Sequence, residues 1–144
     1  MSLISALDVS CSGLRCEKTR MELIAQNIAN MELTRTDAGG PYRRKIAVFQ
    51  EILQRATGEM ADPADIIGAG VTIDRVATDT APPIMVFDPY HPDADQAGYV
   101  AKPNINLANE MVDSISASRA YNADITVLNA TKSMAEKALT IGQG

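Results

Sequence analysis

The distribution of proline divides this 144-residue chain into three parts. All seven prolines and six of the nine glycines fall within residues 32–103. The flanking stretches, Leu3 to Met31 and Asn104 to Ile141, contain no proline and a single glycine, Gly13. Because proline lacks the main-chain donor that a helix interior needs, proline-free stretches are where long helices can run. The chain is therefore predicted to place a long helix at each end of a non-helical middle.

The N-terminal stretch carries a row of apolar residues with heptad spacing. Its members recur every seven residues and are Leu7, Leu14, Met21 and Ile28. Leu3 and Ile24 fall on the flanking row, so the apolar stripe follows one side of a helix. Such a stripe packs either within the core of a monomer or against helices of other chains.

The C-terminal stretch is predicted to be helical from just after Pro103 to Ile141. Asn104 or Asn106 can supply the N-cap oxygen. One apolar face comprises Leu107, Met111, Ile115, Tyr121, Ile125, Leu128 and Leu139. A second apolar face in the last third comprises Val127, Met134, Ala138 and Ile141. A helix that is apolar on two sides usually has two neighbours.

The middle segment shows strand patterns separated by turns. The candidate strands are Tyr42 to Leu53, Val71 to Asp74 and Ile84 to Phe87, whereas residues 54–67 and 88–103 are predicted to be loops. The predicted organisation is an N-terminal helix within residues 1–33, a β-rich insert over residues 34–103 and a C-terminal helix within residues 104–144. The predicted fold class is α+β, with the two terminal helices forming a coiled-coil-like helical core domain.

The predicted helices are long for a chain of this size. At 1.5 Å per residue they span about 43 and about 55 Å, whereas a compact domain of this length has a radius of gyration of about 15 Å. Their stripes carry too few apolar residues to offset the entropy of ordering so much chain. We therefore expect the helices to complete their burial against other subunits. A two-helix hairpin within one chain remains the alternative.

Charge and hydropathy argue against several kinds of partner. The net charge is −5, and the only basic cluster, Arg43-Arg44-Lys45, is too short to follow a nucleic-acid backbone. No stretch approaches the roughly 18 apolar residues of a membrane span, and the N-terminus lacks the pattern of a cleaved signal peptide. Neither a nucleic-acid partner nor a membrane span is expected.

The side chains that catalysis and metal binding require are also sparse. His91, the single histidine, lies in a turn between Tyr90 and Pro92 and is expected to shape that loop through a hydrogen bond, which leaves no base for a serine or cysteine triad unless an unusual lysine serves. Asp93 begins a stretch that resembles a calcium loop, but Asn104 occupies the position of its bidentate glutamate. Cys11 and Cys16 are expected to be free thiols, because five-residue spacing on a helix separates them. No enzyme activity, cofactor, metal or small-molecule substrate is predicted.

Several segments resemble one protein family over nearly the whole chain. Ser12-Gly13-Leu14 and Ile24-Ala25-Gln26-Asn27-Ile28-Ala29-Asn30 are similar to the motif that begins flagellar axial rod and hook proteins. The blocks Gly39-Gly40-Pro41-Tyr42-Arg43-Arg44-Lys45, Asp88-Pro89-Tyr90-His91-Pro92-Asp93-Ala94-Asp95 and Ser116-Ala117-Ser118-Arg119-Ala120-Tyr121 are more specific. Together they resemble the flagellar basal-body rod proteins, and within that family the subunits of the proximal rod.

The resemblance implies a structural function. Rod subunits of this family are exported without a cleaved signal by the flagellum's type III apparatus and stack helically into a tube. They form part of the drive shaft that crosses the periplasm and transmits torque. The implied partners are other copies of the chain, other rod subunits and, in transit, the export apparatus. The alternative from another class is a helical export adaptor or chaperone of a type III secretion system.

The resemblance also suggests roles for individual residues. The expected assembly interface consists of Leu3, Leu7, Leu14, Met21, Ile24, Asn27, Ile28, Asn30, Met111, Ile115, Tyr121, Ile125, Leu128 and Leu139, in contact with residues of the same chain and of neighbouring copies. Within this set Asn27 and Asn30 are expected to cap or bridge helix ends. The residues expected to shape the loop that returns the chain to the second helix are Tyr42, Asp88, Pro89, His91, Pro92 and Asp93.

Overall fold

The computed structural model describes residues 3–55 and 66–141, with side chains for residues 6–53 and 68–141. Helix α1 spans Leu3–Ala29 and helix α2 spans Leu107–Ile141. Four strands lie between them: β1 (Lys45–Arg55), β2 (Ile66–Thr78), β3 (Ile84–Phe87) and β4 (Tyr99–Lys102). The predicted α+β class, with a small β insert between long terminal helices, is confirmed. The side chain of Leu3 lies outside the described part.

Side chains cap the two helix ends that face the insert. The Asn106 Oδ1 atom accepts hydrogen bonds from the main-chain N–H groups of Ala108 at 2.9 Å and Asn109 at 3.3 Å. Asn106 is therefore the N-cap of α2. At the end of α1, the Gln26 carbonyl accepts from both the Asn30 side-chain Nδ2 group at 2.7 Å and the Asn30 main-chain N–H at 3.1 Å.

The insert consists of two separate antiparallel hairpins. Strand β1 pairs only with β2, and β3 pairs only with β4, among the described residues. The prediction that residues 54–67 and 88–103 are loops is wrong in part, because β1 continues to Arg55, β2 begins at Ile66 and β4 lies within the second range. Residues 56–65 of the first predicted loop lie outside the described residues. Cross-strand pairing explains β4, since Phe87 and Tyr99 are paired across the hairpin with ring centroids 5.3 Å apart.

The two helices form an antiparallel pair within one chain. Gly13 of α1 lies beside Asp124 of α2, and Asn27, near the end of α1, lies beside Glu110, near the start of α2. The row of α2 turned inward has heptad spacing and consists of Glu110, Ala117, Asp124 and Thr131. Small and polar side chains thus line this contact, and a Cβ atom on Gly13 would lie 2.8 Å from an Asp124 carboxylate oxygen.

Helix α1 also packs against the first hairpin. The Ser12 hydroxyl accepts a hydrogen bond from the Val71 N–H at 3.0 Å, and the Cys16 thiol lies 3.5 Å from the Val71 carbonyl. Gly70 permits this approach, because its φ of +132° is unfavourable for other residues and a Cβ atom there would lie 2.5 Å from the Ser12 hydroxyl oxygen. Both cysteines are free thiols, as predicted. Neither described helix is long and apolar enough to cross a membrane.

Candidate functional site

A polar cluster built around buried side chains joins the two helices to the insert. We call it the polar joint and define it as Asn27, Tyr42, Arg44, Glu110 and Asp113. These residues come from the last turns of α1, the segment entering β1 and the first turns of α2. The joint is therefore the point at which the three parts of the chain meet.

Asn27 is the centre of the joint and is only 1% exposed. Its Nδ2 group donates to the Lys45 carbonyl at 2.9 Å and to Glu110 Oε2 at 3.1 Å. Its Oδ1 atom accepts from the Lys45 N–H at 2.9 Å and from the Tyr42 hydroxyl at 3.1 Å. The carboxamide thus holds both main-chain polar groups of Lys45 in the way a neighbouring strand would. A shorter or apolar side chain at position 27 cannot do this.

Glu110 brings a carboxylate into the joint at 1% exposure. Its Oε1 atom accepts from Arg44 Nε, while Arg44 Nη2 donates to Asp113 Oδ2 at 2.9 Å. Burial lowers the pKa of Arg44, but the hydrogen bond to Glu110 and the charges of Glu110, Asp113 and Asp79 raise it, and the net direction is upward. The guanidinium therefore stays charged and compensates a carboxylate that would be costly to bury alone.

Tyr42 gives the joint a dependence on alkaline pH. Burial, and then the charge of Glu110, raise the pKa of the Tyr42 phenol above its ordinary value. Stability from this group is therefore complete below about pH 10 and is lost as pH rises through the folded-state pKa. We expect Tyr42→Phe to lose less of its unfolding free energy than the parent as the pH is raised above about 10.

Urea unfolding across that pH range measures this effect. Tyr90→Phe is the matched control, because Tyr90 is 98% exposed, and it should keep the alkaline slope of the parent protein. An unchanged slope in Tyr42→Phe would show that the phenol does not titrate differently in the folded and unfolded chains.

The loop between β3 and β4 is ordered by its own side chains. The Asp88 carboxylate accepts from the Tyr90 N–H at 3.3 Å, and His91 Nδ1 accepts from the Asp93 N–H at 3.1 Å. Asp93 ties the loop to the segment after α1 by accepting from the Thr34 hydroxyl at 2.8 Å. Pro89 and Pro92 are exposed on the same loop. Tyr42, which was predicted to belong with these residues, lies in the polar joint instead.

The predicted interface residues fall into two groups in the structure. The inward group is buried or half-buried and comprises Leu7, Leu14, Met21, Ile24, Asn27, Ile28, Asn30, Tyr121, Ile125 and Leu128. The outward group is exposed and comprises Met111, Ile115 and Leu139. Met111 and Ile115, with Val112, form an outer apolar patch on α2 with exposures of 53%, 53% and 66%. Nothing described in this chain covers that patch.

The joint's charged residues were not identified from the sequence. Arg44 was noted only as part of a short basic cluster and of a family motif, and Glu110 was given no role. One signal was available: Glu110, Ala117, Asp124 and Thr131 repeat every seven residues, as a helix-packing row does. Because the row contains no large apolar residue, a search for apolar stripes passes over it.

Comparison with known proteins first gives the class of protein. Residues 96–141 match the family described as flagellar basal body rod FlgEFG protein C-terminal, so α2 and β4 have the sequence of a flagellar rod-type protein.

Similarity over the full chain gives the particular family. The flagellar basal-body rod protein FlgC of Borreliella burgdorferi is 43% identical over 100% of both chains. The FlgC proteins of Bacillus subtilis and Salmonella typhimurium are 38% and 39% identical, each over 99% of this chain and 100% of the relative. This chain belongs to the FlgC family of flagellar basal-body rod proteins, and it is a structural subunit of the flagellar basal body.

Proposed function

We propose that this subunit polymerises helically through α1 and α2 to form the part of the rod that crosses the periplasm and transmits torque to the hook. The observation that carries the proposal is the outer apolar patch of Met111, Val112 and Ile115, which is more than half exposed in the single chain. Contiguous exposed apolar surface on a helix marks a protein contact. A contact between unlike surfaces generates an open helical assembly when its rotation does not close into a ring.

The polar joint supports the mechanical side of this proposal. Asn27 binds both main-chain groups of Lys45 and also the Glu110 carboxylate. Arg44 extends the network to Asp113, and Arg20 of α1 approaches the same carboxylate at 3.8 Å. Directional bonds from three parts of the chain fix the insert relative to the helix pair. A subunit built in this way can pass a load from its insert to its helices.

Passage through the flagellar type III export apparatus, without cleavage of a signal, is part of the same proposal. The buried apolar core of the described chain is small, comprising Cys16, Leu23, Ile24, Tyr42, Val100 and Ala117. A fold with so small a core is marginal alone and gains stability from its neighbours. That property suits a chain that travels unfolded and orders on assembly. The rod family also supports this function over that of an export adaptor.

Photo-crosslinking in assembled basal bodies tests the proposal. A photoreactive amino acid at Met111, which is 53% exposed, should give products with this chain or with other rod subunits, because the patch is covered in the rod. Products formed only with export components would support the adaptor. No product in intact basal bodies would show that the patch is not an assembly contact.

A further inference from the structure

The second hairpin forms an arm that is joined to the rest of the described chain through side chains. We define the acidic arm as β3, the loop of residues 88–98, and β4. No described helix, and neither strand of the first hairpin, packs its main chain against β3 or β4. Its polar links to the described chain run from Thr34 and Arg35 to Asp93 and from Glu32 to Lys102. The side chain of Val100, in β4, is fully buried.

The arm exposes an uncharged apolar strand. All four residues of β3 are exposed, including Met85 at 53% and Phe87 at 63%. Within the described residues, no main-chain hydrogen bond joins residues 84–87 to anything except β4. Proteins normally cover or charge such an edge, because a bare apolar strand pairs with other chains. Pro83 and Pro89 flank β3 and limit how far any pairing can extend.

The charge of the arm restricts what can cover it. The arm, residues 84–102, contains three aspartates, Asp88, Asp93 and Asp95, and a single lysine, Lys102, which is paired with Glu32 of the same chain. Two arms docked on each other would bring these carboxylates together, and like charges across an interface are unfavourable. The covering surface is therefore expected to combine apolar side chains with basic ones.

This chain carries a surface of that chemistry. We call residues 33–46 the basic turn; it contains four basic residues and one acidic residue, Asp37. Arg44 is engaged in the polar joint, and Arg35, at 80% exposure, lies 3.8 Å from Asp93 of its own arm. Arg43 is exposed and makes no ion pair among the described residues. Two exposed apolar residues, Leu33 and Ile46, accompany these arginines. The basic turn thus matches the acidic arm in both charge and hydropathy.

We propose that the acidic arm of one copy docks on the basic turn of a second copy of this chain. The inference rests on the proposed function, because both copies must lie side by side in the rod. The two surfaces differ, so each copy offers one of each and the contact continues from subunit to subunit. It lies in the insert and does not involve the outer apolar patch of α2.

A photoreactive amino acid at Met85 in assembled basal bodies tests the docking. Met85 makes no side-chain hydrogen bond within the described chain and should give a product of twice the subunit mass of 15.4 kDa. Arg43→Glu should lower the yield of that product about tenfold, because it places a carboxylate opposite the acidic arm. Arg75→Glu is the matched control, since Arg75 is an exposed arginine of β2 outside the basic turn, and it should leave the yield unchanged.

Each other outcome overturns a defined part of the inference. A product with a different rod subunit would overturn the second copy as the occupant. No product, or equal losses in Arg43→Glu and Arg75→Glu, would overturn docking on the basic turn. If the Met111 probe still forms products when the Met85 probe does not, the arm contact fails while the proposed function stands. If neither probe forms products, the proposed function fails with it.

Discussion

Bacteria that produce Ile115→Asp as their only copy of this subunit are expected to build no rod beyond it and therefore not to swim. Ile115 is 53% exposed in the single chain, so the substitution should change the unfolding free energy of the isolated subunit by no more than about 0.5 kcal/mol. In the rod, the carboxylate would be buried without a partner at a packed contact, which costs several kcal/mol. The cost recurs in every copy. Swimming assays and electron microscopy of isolated basal bodies measure the result.

Asn122→Asp is the matched control for that substitution. Asn122 is exposed and lies one heptad after Ile115 on the same face of α2, but its position is already polar. The same carboxylate there should therefore leave swimming intact. Normal swimming by Ile115→Asp would contradict the proposed role of the outer apolar patch. Loss of folding in the isolated variant would instead place Ile115 within the subunit's own core.

Arg44→Met is expected to lower the unfolding free energy by about 3–5 kcal/mol, because it removes one partner of a buried ion pair. Glu110 would remain 1% exposed. Within the described chain, only the Asn27 amide would still donate to its carboxylate. Methionine keeps much of the volume of the arginine stem, so the decrease in unfolding free energy reflects the missing charge and not a cavity. Urea unfolding of the purified subunit measures it.

Two further variants separate the joint from ordinary surface ion pairs. Adding Glu110→Gln to Arg44→Met should recover part of the lost unfolding free energy, since a neutral carboxamide then replaces the buried carboxylate. Lys102→Met removes the exposed pair with Glu32 and should change the unfolding free energy by no more than about 1 kcal/mol. Equal effects of Arg44→Met and Lys102→Met would mean that the joint contributes no more than a surface contact.

The sequence predicted the elements of this fold better than it predicted their packing. Proline positions and the Asn106 cap defined both helices, because they act on the chain locally. The inward face of α2 was not predicted, because apolar periodicity favours Met111 and Ile115 over Ala117. Close approach at Gly13 favours the small and polar row instead. The need for small side chains on α2 depends on how closely α1 approaches, and the sequence pattern of α2 alone does not show that distance.

The candidate site was predictable to a similar extent. Asn27 was expected to bridge or cap a helix end, and it lies where α1 meets β1. Its charged neighbours were missed because the pairing of Arg44 with Glu110 joins residues 66 positions apart in the chain. Such pairings follow from tertiary structure, and neither spacing nor composition reveals them. Strand β4 was missed for the same reason, because its partner β3 lies across an 11-residue loop.

The polar joint also determines where a loaded shaft of such subunits would deform. Hydrogen bonds weaken steeply as their angles change, whereas apolar contact is non-directional and tolerates small sliding. Within one subunit, the bonds that Asn27 makes to Lys45 and Glu110 would resist rotation of the insert against the helix pair. Between subunits, contacts made by the outer apolar patch would permit small rotations of one subunit against the next. Elastic compliance is therefore expected at the boundaries between subunits. Each subunit would turn as a stiff body.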